Sequence, residues 1–274
     1  VFKNISVIMC VQTITLEVNI KKILCISGSP IKNSNTDRML KTIADQTGFE
    51  YDFIKLSDWV VRPCLACKAC VTTNRCVQKD DFEEISNLIL GAEVVIFGVY
   101  TPYGMIDAFS KALLERLWSM RHINSLNSGK FAITVVTSAN KNTAEQVNQQ
   151  IMMEMVMEKF ILLDQLVING TIPCFTCGKG DICGNSAAPM QVGENGIVSD
   201  SNCFDVETQS VFEKGKKLGK LLGDYLRNDP AFDKEGYQKN INKMMGQIMP
   251  VMDQGMRQWR EDELKKVNMQ IKKN

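Results

Sequence analysis

The chain has 274 residues, with 32 Lys plus Arg against 31 Asp plus Glu and a formal net charge of +1. That balance excludes a general nucleic-acid binder, which carries a basic excess or stripe. Hydrophobic residues at 45% and charged residues at 23% exclude disorder and fibrous classes as the main description. No run approaches the ~18 uninterrupted apolar residues of a spanning helix, and the length allows one or two domains. The one histidine, His122, excludes chemistry that needs several imidazoles. Seven of the 10 cysteines fall within 64–76 and 174–183. In a chain of this length, clustered cysteines read as metal or redox ligands rather than a secreted disulfide framework.

Residues 1–20 form an N-terminal extension. Within it Ile14, Leu16, Val18 and Ile20 alternate with Thr15, Glu17 and Asn19, the period of an added edge strand. It lacks the basic start and cleavage site of a signal peptide. The apolar run 23–26 is a buried strand, followed by a loop and a helix over 34–46. A second strand covers 51–56, and a cysteine loop fills 62–80. Asp81-x-x-Glu84 opens a helix to Leu90 as a capping box. A third strand at 93–98 leads through a loop at 99–106 to a helix capped by Asp107 that ends near Met120. A fourth strand at 131–137, a Met-rich helix at 143–160 and a fifth strand at 162–168 follow.

Strands alternating with helices predict a parallel sheet covered on both faces. The best fit is an α/β, flavodoxin-like, doubly wound five-stranded sheet, with the cysteine loop inserted and a helical extension at the C-terminus. Ligands bind such sheets at the carboxyl ends of the strands, where the loops 27–36, 99–106 and 137–142 lie. The flavodoxin-like domain spans 21–170, the second cysteine loop 171–203 and the C-terminal helices 204–274. Gly215, Gly219 and Gly223 line one face of a helix over 204–226, which predicts close helix packing. In the tail, Ile241, Met245, Ile248, Met252, Met256 and Trp259 recur at helical spacing. Pro250 is expected to break that tail into two helices, and a subunit contact is the favoured use of its apolar face.

Ser27-Gly28-Ser29-Pro30-Ile31-Lys32-Asn33-Ser34-Asn35-Thr36 joins the first strand to the first helix. Hydroxyls, a tight turn at Gly28 and a helix start suit a phosphate dianion. A polar N-cap region without a ligand is the alternative. The loop is neither a Walker A sequence nor G-x-G-x-x-G.

Residues 22–30 with Ser34-Asn35-Thr36 resemble the FMN phosphate loop of the NADPH-dependent FMN reductase superfamily. Tyr103-Gly104, followed by Lys111-Ala112 and Glu115-Arg116, resembles its second flavin loop and helix. The resemblance covers 21–170. It implies that Ser27, Ser29, Pro30, Ser34, Asn35 and Thr36 form the phosphate site. By the same likeness Pro102, Tyr103, Gly104 and Met105 line the isoalloxazine, with Thr137, Ser138 and Ala139 at its far edge. Many relatives carry proline where Tyr100 stands here.

Cys64-x2-Cys67-x2-Cys70-x5-Cys76 is the strongest signal in the chain. Four thiolates in so short a run suit a [4Fe–4S] cluster. Zinc, which prefers two separated pairs, and a structural or redox-thiol role are the alternatives. Lys68 and Arg75 could offset the thiolate charge. The run is similar to the compact cysteine motif of the iron-sulfur flavoproteins, a branch of the same superfamily. That resemblance implies FMN and a [4Fe–4S] cluster in a homodimer or homotetramer, with the cluster of one subunit facing flavin near a subunit contact. Cys174-x2-Cys177-x5-Cys183, with Cys203 farther on, reads either as a second iron-sulfur or zinc site or as free thiols for packing or redox exchange. Cys10 and Cys25 read as buried inert thiols, and His122 as a structural or capping residue.

The function expected is an FMN- and [4Fe–4S]-dependent electron-transfer oxidoreductase without an acid–base dyad. It would couple a one-electron donor such as a ferredoxin to flavin-mediated reduction of a small acceptor. The alternatives are an NAD(P)H-dependent FMN or quinone reductase with an auxiliary cluster, and a non-enzymatic metal-binding protein. A reducing cytoplasmic setting suits oxygen-sensitive, thiolate-bound clusters.

Overall fold

The computed structural model describes residues 23–227 and 233–271. The N-terminal extension, with its expected edge strand and Cys10, lies outside the described residues. Five strands form one parallel sheet: β1 (Ile23–Ser27), β2 (Tyr51–Lys55), β3 (Val94–Tyr100), β4 (Phe131–Ser138) and β5 (Ile161–Asn169). Their order is β2-β1-β3-β4-β5. That order reverses its winding between β1 and β3, the flavodoxin-like arrangement. Every residue of β1 is buried, as are all but the last of β3. Their continuous Val/Ile-rich runs answer to burial on both faces.

Helix α1 (Asn35–Asp45) follows β1, α2 (Phe82–Gly91) precedes β3, α3 (Ala108–Leu117) follows it, and α4 (Lys141–Met157) joins β4 to β5. After β5 come a short α5 (Pro189–Val192), then α6 (Ser210–Leu226) and α7 (Lys234–Ile271). The glycine face of α6 packs on α1 as expected. A Cβ at Gly219 would stand 2.2 Å from the Ile43 carbonyl oxygen, and one at Gly223 2.6 Å from that of Thr47. Only hydrogen fits between these two helices.

Three expectations need correction. The capping box at Asp81 and Glu84 does not form, because the Asp81 carboxylate accepts the Val60 N–H at 2.7 Å and is thereby spent on closing the base of the cysteine loop. Helix α6 begins at Ser210 rather than 204. Residues 204–209 instead bind α1: Asn35 Nδ2 donates to the Phe204 carbonyl, and Arg38 pairs with Asp205. Pro250 does not divide the tail, since α7 runs through it. Proline removes one hydrogen bond to position 246 and crowds that carbonyl; the residue there is Gly246, and the helix continues. Met245 packs against the core, whereas Met256 and Trp259 are exposed. The side chains of Ile241, Ile248 and Met252 lie outside the described residues.

Candidate functional site

The carboxyl ends of β1, β3 and β4 carry three loops that bond to one another, Gly28 to Gly98, Thr36 to Thr137 and Thr101 to Thr137, at the end of the sheet where such folds hold a ligand in a crevice. Gly28 holds the first loop down by donating its N–H to the Gly98 carbonyl at 2.7 Å. A Cβ there would meet Ser110 Oγ at 2.0 Å and the Asp107 carboxylate at 2.6 Å. Ser34 caps α1 with a true capping box: its Oγ accepts the Asp37 N–H at 3.1 Å, and Asp37 Oδ2 accepts the Ser34 N–H at 3.3 Å. Asp37 is buried, takes the Ser27 hydroxyl at 2.6 Å, and pairs with Lys55 Nζ at 2.7 Å. Lys55 also reaches the Ile31 carbonyl at 3.0 Å.

The expected phosphate residues are therefore brought together in different roles. Ser27 points down into the Asp37–Lys55 knot, and Thr36 Oγ1 bonds Thr137 Oγ1 at 2.7 Å, joining the first loop to the third. Asn35 is turned outward to Phe204 and Val206. Ser29, Pro30 and the first turn of α1, whose N–H groups a helix leaves without intrahelical acceptors, frame the opening. Asp37 and Lys55 were not singled out in the sequence. Asp37 stands three residues after Ser34, a capping-box spacing that could have found it; nothing in sequence ties Lys55 to the loop.

The second loop is a 3-10 turn, Pro102–Gly104, in which Tyr103 adopts φ +51° and Gly104 φ +78°. The left-handed pair turns the Tyr103 ring fully into solvent, beside an exposed Met105. A bare aromatic and a thioether at a crevice mouth suit a planar ligand. Asp107 caps α3 by accepting the Ser110 N–H at 2.8 Å. Burial pushes its carboxyl up to about 6, against the opposing pull of N–H donors from Ser110 and Tyr100. In the third loop, Ser138 Oγ donates to the Asn140 carbonyl at 3.0 Å, and Ala139 is exposed.

The first cysteine group lies near the other end of α3. Cys64, Cys67, Cys70 and Cys76 all line one small pocket, together with Arg116, Trp118 and Lys68. Left-handed turns at Ala66, Lys68 and Asn74 fold the run back on itself. The Ala66 N–H approaches Cys64 Sγ at 3.4 Å. Burial pushes the Cys70 thiol up, and Cys76, Cys67 and Cys64 act on it in the same direction. Arg116 was not foreseen as the neighbouring cation. Its guanidinium forks onto Asp80 at 2.7 and 3.0 Å, donates to the Arg62 carbonyl at 2.8 Å, and stands over the Phe82 ring. Its Nε is buried without a partner among the described residues. Burial would lower the guanidinium pKa, but the Asp80 hydrogen bonds and the neighbouring Cys76 and Asp80 hold it up. Asn74 secures the loop from behind: its Oδ1 accepts the N–H groups of His122 and Ile123, and its Nδ2 donates to Asn124. His122 is structural here, packed edge-on against Trp118 at 4.5 Å.

Four thiols in one pocket, beside a buried cation with an unused donor, suit an anionic thiolate-bound cluster in chemistry and charge. Among the described residues, no three His, Cys, Asp or Glu side chains close around a single metal ion.

The second group is arranged differently. Cys174 Sγ accepts the Ala187 N–H at 3.2 Å, and Cys177 Sγ accepts the Lys179 N–H at 3.4 Å. Hydrogen bonds from the Ala187 N–H and the Ser186 hydroxyl pull the Cys174 thiol below its ordinary pKa. A cavity beside them is lined by Cys183 and not by Cys174, Cys177 or Cys203. Cys25 is buried, with its thiol near the Leu40 carbonyl and its pKa pushed far up by burial.

The sheet order and the three-loop crevice define a flavodoxin-like protein. Residues 21–171 match the NADPH-dependent FMN reductase family, and the chain belongs to it, within its iron-sulfur flavoprotein branch. It is 31% identical over 128 residues to an iron-sulfur flavoprotein of Methanosarcina thermophila, covering 46% of this chain and 67% of that one. An iron-sulfur flavoprotein of Methanocaldococcus jannaschii is 30% identical over 153 residues, 54% of this chain and 76% of its own. One from Archaeoglobus fulgidus is 23% identical over 243 residues, 88% of this chain and 98% of that one. Among solved structures, RosB with a bound 8-demethyl-8-formylriboflavin-5'-phosphate intermediate has a TM-score of 0.50 at 12% identity, over 81% of this chain and 86% of its own. That likeness is one of fold. The protein is a flavin-dependent oxidoreductase. No helix among the described residues is long and apolar enough to cross a membrane.

Proposed function

We propose that the protein is an electron-transfer oxidoreductase that holds FMN in the crevice and a [4Fe–4S] cluster on Cys64, Cys67, Cys70 and Cys76. The observation that carries this reading is the shared pocket of those four thiols against the buried, incompletely bonded Arg116. Together the two groups would join one-electron delivery, as from a ferredoxin, to flavin-mediated reduction of a small acceptor. The chain's own part is positioning and charge. Ser29, Pro30 and the start of α1 receive the phosphate, while Lys55 neutralises Asp37 beneath them. Pro102, Tyr103, Gly104 and Met105 offer the ring an exposed edge, and Thr137, Ser138 and Ala139 bound its far side. Arg116 offsets thiolate charge and, through Asp80, fixes the base of the cysteine loop.

The crevice adjoins Asp107 and the cysteine pocket adjoins Arg116, positions separated along α3 by about 14 Å of helix rise. Such a separation supports pairing the cluster of one subunit with the flavin of another in a homodimer or homotetramer. A reducing, cytoplasmic setting suits the exposed Cys67.

Anaerobic purification with iron, sulfide and FMN analysis tests the cofactors. Four iron, four sulfide and one FMN per chain are expected of a single such cluster and flavin (stoichiometry about 4:4:1). Zinc at the quartet, or no FMN, overturns the reading. Stopped-flow mixing with reduced ferredoxin against NADPH then identifies the donor: rapid flavin bleaching by NADPH alone moves the assignment to an NAD(P)H-dependent reductase with an auxiliary cluster.

A further inference from the structure

The second cysteine loop emerges at the same end of the sheet as the crevice. The Gly170 N–H donates to the Ser138 carbonyl at 2.8 Å, so the chain leaving β5 is tied to the third loop before it reaches Cys174. At its far end the loop returns to the start of α1, through Asn35 to Phe204 at 2.7 Å and Asn35 to Val206 at 3.2 Å.

Between those ties the chain wraps around Cys174. Pro173–Phe175 forms a 3-10 turn that brings Cys177 back, so that its Sγ stands 3.4 Å from the Cys174 carbonyl oxygen. Gly178 adopts φ +73°, and Gly180 presses on the Cys174 carbonyl so closely that a Cβ would stand 2.0 Å from its oxygen. The Ala187 N–H meets Cys174 Sγ, and the Lys179 N–H meets Cys177 Sγ. Cys174 Sγ therefore accepts a fixed backbone donor, the device that stabilises a thiolate, while Cys177 Sγ is turned to the Cys174 carbonyl as a thiol donor. Cys183 faces a separate cavity. The two thiols are free in this structure and reachable from solvent, Cys177 more than Cys174.

We propose that Cys174 and Cys177 form a dithiol–disulfide centre whose substrate is a disulfide. Cys174 is the attacking thiolate. It displaces one thiol from the substrate disulfide and forms a mixed disulfide. Cys177 then loses its proton and attacks Cys174 Sγ, which releases the second thiol and closes a Cys174–Cys177 bond. The substrate gains two electrons and two protons, and the pair loses them. A two-electron reductant, either a dithiol or reduced flavin in the adjoining crevice, reopens the bond to two thiols. Only the flavin branch of that last step rests on the function proposed above; the exchange itself does not.

The test uses the full chain, purified anaerobically with its cofactors. It is equilibrated across graded ratios of reduced and oxidised dithiothreitol, quenched in acid, alkylated and mapped by mass spectrometry. A two-electron transition that ends in an intramolecular Cys174–Cys177 bond is expected. With 5,5'-dithiobis(2-nitrobenzoate) as substrate, C177S is expected to hold a stable mixed disulfide at Cys174. C174S is expected to react at Cys177 at least about tenfold more slowly, because Cys177 stands as a thiol donating to the Cys174 carbonyl and the thiolate is the attacking form. Thiols that stay reduced across the whole range overturn the proposal, as does bonding of Cys174 to Cys183 or Cys203. A full site's loss of zinc or iron in C174S also overturns it. The dithiothreitol titration repeated on flavin-free protein separates failure of this centre from failure of the flavin reading.

Discussion

Both cysteine-rich loops begin with Cys-x2-Cys, and both follow a parallel strand, yet their surroundings are opposed. The loop at 62–80 is closed by a buried ion pair, Asp80 with Arg116, whose side chains are 0% and 1% exposed. Its four cysteines line one pocket together with Arg116. The loop at 171–203 is held by side-chain amides on its surface: Gln191 accepts from the Ile172 N–H and donates to the Asn202 carbonyl. Its first two sulfurs each receive a backbone N–H of their own. Cysteine spacing alone does not separate an inorganic site from a thiol pair. A shared pocket beside a fixed cation favours a delocalised anionic cluster, whereas sulfurs held apart on their own N–H donors favour individual thiols that can react.

Breaking the buried pair should give the largest effect. Arg116→Gln leaves Asp80 charged and enclosed, which costs about 3–5 kcal/mol. Burial pushes the Asp80 carboxyl up, but Arg116 and the Arg62 N–H outweigh it and hold its pKa low; the variant removes the stronger of those partners. The urea midpoint should fall steeply and iron should be lost, while alkylation of Cys174 keeps its wild-type rate. Unchanged iron content would break the comparison.

Glu158 tests the flank of the first loop. It lines a groove between α3 and α4 that also contains Cys64 and Ala66, and its Oε2 is buried without a partner among the described residues. Burial pushes its carboxyl up to about 7, against the pull of Arg121 at 3.4 Å. A carboxyl raised in the folded state stabilises fully below its unfolded value of about 4.3, and that contribution is lost as pH rises to about 7. Wild-type stability should therefore fall by roughly 2–3 kcal/mol between pH 4.5 and 7 from this group. Glu158→Gln should remove that slope in urea titrations. A slope that survives assigns it to another group. Asn74→Ala comes next, at about 2 kcal/mol, because it strips the acceptor from the His122 and Ile123 N–H groups. It should loosen the first loop and leave the second untouched, as read by hydrogen exchange.

The sheet was legible because its strands are short apolar runs at regular spacing, and the order followed from parallel crossovers. The grouping at 64–76 was legible because its four cysteines lie close in sequence. Arg116 was not legible as the quartet's neighbour, because α3 brings it to the loop from 40 positions beyond Cys76. Lys55 reaches the first crevice loop only because β2 pairs with β1 in register, Ser27 opposite Lys55. Pro250 misled because proline weakens a helix locally without always ending it. Asp81 misled because its spacing to Glu84 fits a cap, while the cysteine loop competes for the same carboxylate.

The smallest effect falls on the second loop. Arg38 joins it to α1, bonding Asp205 at 3.0 Å and Glu207 at 3.2 Å. These side chains are a quarter to more than half exposed, so solvent screens them and Arg38→Ala should cost less than about 1 kcal/mol. Hydrogen bonds from Arg38 and the Glu207 N–H hold the Asp205 carboxyl below its ordinary range. Its contribution is therefore present above the unfolded value, about pH 3.9, and is lost as pH falls through the lower folded value. In Arg38→Ala that acid-limb loss should shrink, and so should the dependence of stability on salt. The variant should also speed alkylation of Cys203, which sits beside the tie, with Cys64, Cys67, Cys70 and Cys76 unaffected. Equal responses from both groups would mean that the two loops move as one, and the contrast between a buried charged anchor and an exposed one would lose its force.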